Sequence, residues 1–129
     1  TNVISIPKKG IIPQIENIYY DFDKDNITSV AVLILNKIVD IMNDDPTLKI
    51  EMASYTDARG LDKYNLALSK RRAKAVFDYL IIKNINGDRM QYNGYGEANL
   101  VNHCADKVKC PPEEQQKNRR TEFKILVAP

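Results

Sequence analysis

The sequence contains no tryptophan, one histidine and only two cysteines among its 129 residues. A single histidine, His103, rules out metal sites built from several histidines and leaves no convincing histidine-based catalytic triad. Long hydrophobic runs are also lacking, because the longest, residues 30–35, is far shorter than the roughly 20 residues that span a bilayer. These absences disfavour several classes of enzyme and predict no membrane-spanning helix.

An excess of charge of one sign is lacking too. Nineteen basic and 17 acidic residues leave a net charge of +2, which is too small to predict nucleic-acid binding. The composition, 43% apolar and 28% charged, is ordinary for a globular protein of one domain. Two prolines and a glycine near the start predict a linker at residues 1–13, followed by one domain at 14–129 of a longer protein.

The two cysteines, Cys104 and Cys110, lie in a segment typical of a loop, at a spacing that matches no common zinc motif. A local disulfide is the favoured interpretation, and it indicates an oxidising compartment such as the periplasm. The alternative is a pair of free thiols in a cytosolic protein.

Hydrophobic periodicity predicts an α/β fold. Apolar residues at helical spacing follow Thr28, a candidate helix cap, and alternating residues between 48 and 54 predict a strand buried on one face. The predicted order is β-α-β-α-β-loop-β, an α+β sandwich with two main helices on one face of a small mixed sheet. The strands are expected at 15–22, 48–54, 90–95 and 122–127, the helices at 29–43 and 63–83, and one helical turn at 113–117.

Arg72 is the least expected residue of the second helix. On a helical wheel it lies inside an apolar arc with Leu68, Val76 and Tyr79. A buried unpaired charge is costly, so Arg72 requires a partner, either Asp57 at the end of the preceding strand or a ligand. Together the two side chains could bind the carboxylate and the ammonium of an amino acid or peptide.

The acidic corner after the first strand begins like a calcium loop, with Asp21, Asp23 and Asp25. The match then fails, because Asn26 stands at the sixth position and Val32 at the twelfth. No metal site is predicted, and the acids are interpreted either as partners of the following helix dipole or as one wall of a pocket.

Four blocks in order resemble a known family: YYDFDKDNI, YTDARGLDKYNLALSKRRAKAVFDYL, GYGEANL and NRRTEFKI. They are similar to the OmpA-like C-terminal domain, which is also found in the peptidoglycan-associated lipoprotein and in flagellar motor stator proteins. The resemblance covers residues 15–127, nearly the whole chain. The cysteine loop also resembles a family variant with a short disulfide before the NRR block.

The resemblance implies non-covalent binding of peptidoglycan through the meso-diaminopimelate of its stem peptide, with Asp57 and Arg72 holding the amino acid end of that side chain. Further positions that match the family's binding groove are Thr56, Asn65, Asp21, Phe22, Asp23 and Arg119. The sequence departs from the family pattern at Tyr55, where histidine is common, and at residues 53–54. Lysine-type walls are expected to be rejected, because they would leave Arg72 unpaired.

The expected function is therefore a periplasmic domain that anchors an outer-membrane protein or envelope complex to the cell wall, without catalysis or cofactor. A wall hydrolase would need a metal cluster or an activated nucleophile, and neither is evident. A structural interaction domain with an internal Asp57–Arg72 salt bridge is the other alternative. Asp57→Ala and Arg72→Ala are each expected to abolish muropeptide binding and to leave the fold intact.

Overall fold

The computed structural model describes residues 10–11, 16–105 and 107–126. None of the described helices is long and apolar enough to cross a bilayer. In chain order the elements are β1 (Gly10–Ile11), β2 (Ile18–Tyr19), α1 (Ser29–Asp44), β3 (Ile50–Tyr55), α2 (Asp62–Ile82), a 3-10 turn (Gly87–Arg89), β4 (Met90–Gly94), α3 (Pro112–Gln116) and β5 (Arg120–Ile125).

The strands form one mixed sheet in the order β1-β5-β3-β4, with β2 also paired to β5. Strands β3 and β4 run parallel and are joined by α2, whereas β5 is antiparallel to β3 and places Arg120 opposite Tyr55. Strand β2 continues along the other edge of β5, with Tyr19 opposite Arg120. The end of β3, the start of β5 and the end of β2 therefore lie at the same end of the sheet.

Both main helices contribute to one hydrophobic core. Helix α1 begins after Thr28, whose hydroxyl accepts a hydrogen bond from the amide of Ala31 at 3.1 Å, as expected of a helix cap. The buried side chains of α1 and α2 pack with those of the sheet face that carries Ile50, Met52 and Phe123. The mixed sheet with two main helices confirms the predicted α/β fold.

Strand β3 differs from the prediction, because all six of its residues are buried rather than every second one. Glu51 is only 8% exposed, since β3 lies between β4 and β5 and its polar face is covered by neighbouring side chains. The Glu51 carboxylate accepts hydrogen bonds from Asn93 at 2.8 Å and from the Tyr95 hydroxyl. A central strand of a small sheet can thus be buried on both faces although one face is polar.

Other boundaries also moved. Strand β2 is two residues long, much shorter than the predicted 15–22, because the chain turns away at Asp21. The sequence did not predict β1, where Gly10 and Ile11 pair with Ile125 and Lys124. Residue 127, the predicted end of the last strand, lies outside the described residues.

The GYG motif allows close packing between β4 and α2. A Cβ atom on Gly94 would lie 2.3 Å from the backbone nitrogen of Lys70, so only glycine permits this approach. Gly96 adopts a positive φ of 61°, and its amide donates to the hydroxyl of Ser69 at 2.9 Å. Its carbonyl accepts from the amide of Thr56 at 2.7 Å, which fixes the chain just beyond β3.

The predicted disulfide is confirmed, because Cys104 and Cys110 are joined with a Cα–Cα distance of 5.9 Å. The bond forms a loop within the long segment between β4 and β5, and its Cys104 end is fully buried. The side chain of Asn118 holds the same segment by accepting from the amide of Val101 at 2.8 Å. The covalent link and this contact together fix the path of the chain toward Arg119.

Candidate ligand-binding site

Four chain segments converge where β3 ends. They are the acidic corner after β2, the turn between β3 and α2, the inner face of α2, and the residues just before β5. Parallel β3 and β4 direct the β3–α2 turn to the carboxyl edge of the sheet, where α/β proteins bind ligands. Every predicted ligand-binding residue lies in one of these segments.

Asp57 is buried, 2% exposed, and its carboxylate is held by two arginines. Its Oδ2 atom accepts from Arg59 at 2.8 Å and from Arg119 at 3.0 Å, and Oδ1 accepts from the backbone amide of Arg59 at 3.0 Å. Burial by itself raises the pKa of this carboxyl, but the hydrogen bonds from Arg59 and Arg119 outweigh that effect and lower the pKa below its usual 3.8. Asp57 is therefore a fixed anion at neutral pH.

Arg72 is fully buried, but it does not pair with Asp57. Its guanidinium donates to three backbone carbonyls, those of Lys24 at 2.8 Å, Tyr55 at 3.2 Å and Asp21 at 3.3 Å. Its central carbon lies 4.6 Å from the centre of the Tyr20 ring. Burial lowers the pKa of Arg72 to about 10, so the side chain stays charged at neutral pH.

The proposed internal Asp57–Arg72 salt bridge is therefore wrong, and so is the premise that Arg72 needs either that carboxylate or a ligand. Backbone carbonyls and an aromatic ring stabilise a buried guanidinium without a counterion in contact. The sequence pattern correctly placed Arg72 inside, but it could not show that its partners are main-chain groups.

A cavity of about 140 Å³ lies between these groups. Seven of the eight residues predicted to bind ligand line it, and they are Phe22, Asp23, Thr56, Asp57, Asn65, Arg72 and Arg119. Asp21 is the exception, because its contribution is the carbonyl that accepts from Arg72. The structure thus brings the predicted residues together without itself testing their roles.

Two polar residues of the cavity behave differently. The side-chain amide of Asn65 donates to the carbonyl of Arg59 at 2.9 Å, which holds the turn that carries Asp57. The hydroxyl of Thr56 is buried and has no hydrogen-bond partner among the described residues. A buried hydroxyl is normally paired, so Thr56 marks a position where the cavity can accept a polar ligand atom.

Sequence reasoning missed three residues of the rim. The guanidinium of Arg59 stacks 4.2 Å from the Phe22 ring centre, and the hydroxyl of Tyr64 donates to Asp23. Gly60, also on the rim, has a φ of 94°, which explains the glycine of the TDARG motif. These residues lie in a turn or on an exposed helix face, where hydrophobic periodicity gives no signal.

Comparison with known proteins identifies the lineage of this fold. A sequence profile described as the OmpA family matches residues 19–119. The chain belongs to the OmpA family. The match includes the acidic corner, the TDARG turn, α2 and the residues up to Arg119, so the site of this OmpA-family domain lies within the matched region.

Two curated relatives illustrate how widely the domain occurs. The photosystem I P700 chlorophyll a apoprotein A2 of Gloeobacter violaceus is 36% identical over 85% of this chain, but over only 13% of its own length. The peptidoglycan-associated lipoprotein of Pasteurella multocida is 39% identical over 62% of this chain and 53% of its own length. The chain thus spans about half or less of these relatives.

Solved structures share the fold. The peptidoglycan-associated lipoprotein from Burkholderia pseudomallei superposes with a TM-score of 0.77 at 24% identity, over 85% of this chain and 89% of that one. The periplasmic domain of Helicobacter pylori MotB gives a TM-score of 0.68 at 19% identity, over 94% and 88%. These matches confirm the predicted α/β fold of this OmpA-family domain.

Proposed function

We propose that this domain binds peptidoglycan non-covalently through the amino acid end of the meso-diaminopimelate side chain, and that it anchors a larger envelope protein to the cell wall. The observation that carries the proposal is the placement of Asp57 and Arg72, one anion and one cation, on the walls of a single small cavity. The names of the relatives, which include peptidoglycan-associated lipoproteins, support the same ligand class.

Cavity size supports an amino acid rather than a sugar. A buried cavity of about 150 Å³ accommodates a molecule as large as benzene, about six non-hydrogen atoms. The cavity between Asp57 and Arg72, at about 140 Å³, therefore matches an ammonium, a carboxylate and the carbon that joins them. The rest of the stem peptide and the glycan would lie outside it.

Charge supports a zwitterion. The carboxylate of Asp57 suits an ammonium, and the guanidiniums of Arg72 and Arg119 suit a carboxylate. Three of the five N–H groups of Arg72 donate to backbone carbonyls, so two remain as donors for a ligand carboxylate. The unpartnered hydroxyl of Thr56 supplies one more polar contact.

Specificity follows from the second charged end. Diaminopimelate carries both an ammonium and a carboxylate at the end of its side chain, whereas lysine carries an ammonium only. A lysine side chain would satisfy Asp57 but would leave the guanidiniums of Arg72 and Arg119, here called the arginine wall, without an anion. That loss should cost a few kcal/mol of binding free energy.

The domain acts in this proposal by binding alone, without catalysis. Arg59 and Arg119 lower the pKa of Asp57, so that carboxyl is not a general acid at neutral pH. Cys104 and Cys110 are joined to each other and supply no nucleophilic thiolate. The groups of the site hold charge in place, as a binding site requires.

Co-sedimentation with purified diaminopimelate-type sacculi tests the proposal. The unaltered domain should pellet with the sacculi, and Asp57→Asn, which keeps the size of the side chain, should remain in the supernatant. Asp40→Asn, which changes an exposed acid on α1 outside the cavity, is the matched control and should pellet normally. Equal pelleting of Asp57→Asn and the unaltered domain would refute the proposed site.

A further inference from the structure

The guanidinium of Arg59 contacts the carboxylate of Asp57, which is the anion that the proposed ligand needs. Its guanidinium and that of Arg119 share the same oxygen of Asp57, at 2.8 Å and 3.0 Å. The two arginines differ in exposure, since the side chain of Arg59 is 46% exposed and that of Arg119 is 9% exposed. One carboxylate oxygen thus carries a solvent-facing cation and a buried one.

The buried partner is fixed from a second direction. Arg119 also donates from Nε to the carbonyl of Tyr20 at 2.8 Å, so it is held on both sides. The guanidinium of Arg59 contacts the ring of Phe22, which is itself 54% exposed. Water can reach the half-exposed guanidinium of Arg59 but hardly that of Arg119, so Arg59 is the partner of Asp57 that exchanges most readily.

The turn does not depend on the Arg59 side chain. The backbone amide of Arg59 donates to Oδ1 of Asp57, and the carbonyl of Arg59 accepts from Asn65. On the side of Arg59 both contacts use main-chain atoms, so the path of the turn is kept when the Arg59 side chain moves or is replaced by alanine. The guanidinium can therefore leave Asp57 without rearranging the site.

The balance of charge in the cavity explains why the guanidinium of Arg59 should leave Asp57 when a ligand binds. Three guanidiniums, those of Arg59, Arg72 and Arg119, line a cavity with one exposed carboxylate, that of Asp23, and one buried carboxylate, that of Asp57. An ammonium that entered while Arg59 stayed would add a fourth cation around that carboxylate. An ammonium that replaces Arg59 keeps the number of cations constant and gains the same oxygen as its acceptor.

We propose that Arg59 is a displaceable cation, and that the ammonium of an entering ligand replaces its guanidinium at Oδ2 of Asp57. This inference rests on the proposed function. The stack of Arg59 on Phe22 forms part of the cavity rim and opens outward to solvent when the ligand binds. Arg59 is therefore a specificity residue, because a cation that lacks a carboxylate for the arginine wall gains too little to displace it.

Calorimetric titration with free meso-diaminopimelate tests the displacement. Arg59→Ala removes the competing guanidinium and should bind about fivefold more tightly than the unaltered domain, because the ligand no longer has to break the half-exposed Arg59–Asp57 contact. Phe22→Ala removes the stacking partner of Arg59 together with part of the cavity wall, and it should shift affinity in the same direction by less than Arg59→Ala does. Lys74→Ala removes an exposed cation outside the cavity and should stay within about twofold of the unaltered domain.

The outcomes separate this inference from the proposed function. If the unaltered domain binds, Asp57→Asn does not, and Arg59→Ala binds equally or more weakly, then the displacement is wrong while the site stands. If neither the unaltered domain nor Arg59→Ala binds, both proposals fail. A nitrogen-15 spectrum of the arginine side chains supplies a second readout. The Nε–H group of Arg59 should become more mobile when ligand is added, and its resonance should change accordingly. An unchanged resonance would overturn the displacement.

Discussion

Arg72 and Asp57 line the same cavity without pairing with each other. Asp57 is bound by Arg59 and Arg119, whereas Arg72 donates to the carbonyls of Lys24, Tyr55 and Asp21. Each charge is held in place by other groups, so the two stay apart within the lining of one cavity. In the proposed function, this preorganised anion and cation form the binding site before any ligand arrives.

The buried Arg72 should be important for stability as well as for binding. Arg72→Ala removes the donor to three backbone carbonyls and leaves a void beside Tyr20, so the free energy of unfolding should fall by about 3 to 5 kcal/mol. Arg71→Ala is the matched control, because its side chain is 48% exposed and pairs only at the surface, and it should cost less than about 1 kcal/mol.

Urea denaturation of both variants measures this difference. The structure revises the expectation that Arg72→Ala leaves the fold intact, and a loss of binding in that variant alone would not identify a ligand contact. Equal stability of the Arg71 and Arg72 variants would contradict the structural role.

Gly94 should tolerate no side chain. In Gly94→Ala the new methyl group would lie 2.3 Å from the backbone nitrogen of Lys70, so β4 and α2 must separate. We expect a loss of several kcal/mol in the free energy of unfolding, or failure to fold. Gly87→Ala is the control, since its Cβ meets only side-chain atoms at 3.5 Å, and its thermal midpoint should change little.

The disulfide should contribute modestly to stability. Cys104 and Cys110 are six residues apart, and closing so small a ring stabilises the folded state by roughly 2 kcal/mol in the chain-entropy model. Reduction, or replacement of both residues by serine, should lower the free energy of unfolding measured in urea by that amount and leave the far-ultraviolet circular dichroism unchanged. Two alkylated thiols in the mass spectrum of the oxidised protein would show that the bond does not form.

Ligand affinity should be insensitive to pH between about 5 and 8 on the protein side. The pKa of Asp57 is lowered below 3.8, so its ionised form, and the stability that its ion pairs contribute, are fully present above that value. Both are lost as pH falls through the lowered folded-state pKa, where Asp57 becomes protonated. Calorimetry should show a plateau across this range and a fall only at more acidic pH, where Asp57 becomes protonated, and a midpoint above about pH 5 would contradict the assignment of Asp57 as the anion.

Much of the fold could be predicted because it depends on local patterns. Thr28 and the helical repeat after it located α1 within one residue, as Ser29–Asp44 against the expected 29–43. The strand that ends at Tyr55 was found by alternation, but the alternation suggested one buried face because the covering polar network of Glu51, Asn93 and Tyr95 comes from distant segments. Pattern reveals an element, and tertiary packing decides how much of it is buried.

The site was predicted only in part for a similar reason. The helical wheel singled out Arg72 and the strand end singled out Asp57, but the partners of Arg72 are main-chain carbonyls at positions 21, 24 and 55, and no side-chain pattern encodes them. Arg59 was missed because an exposed turn residue has no periodicity, and its significance depends on the carboxylate and the ring that flank it.

The most direct test of the central claim compares two tripeptides that differ only in the third residue, meso-diaminopimelate or L-lysine. Calorimetric titration of the unaltered domain should show binding of the diaminopimelate peptide. The affinity for the lysine peptide should be at least about tenfold lower, because the missing carboxylate leaves the arginine wall unsatisfied. In Asp57→Asn the binding of the diaminopimelate peptide should be lost. Equal affinity for both peptides, or undiminished binding by Asp57→Asn, would contradict the account.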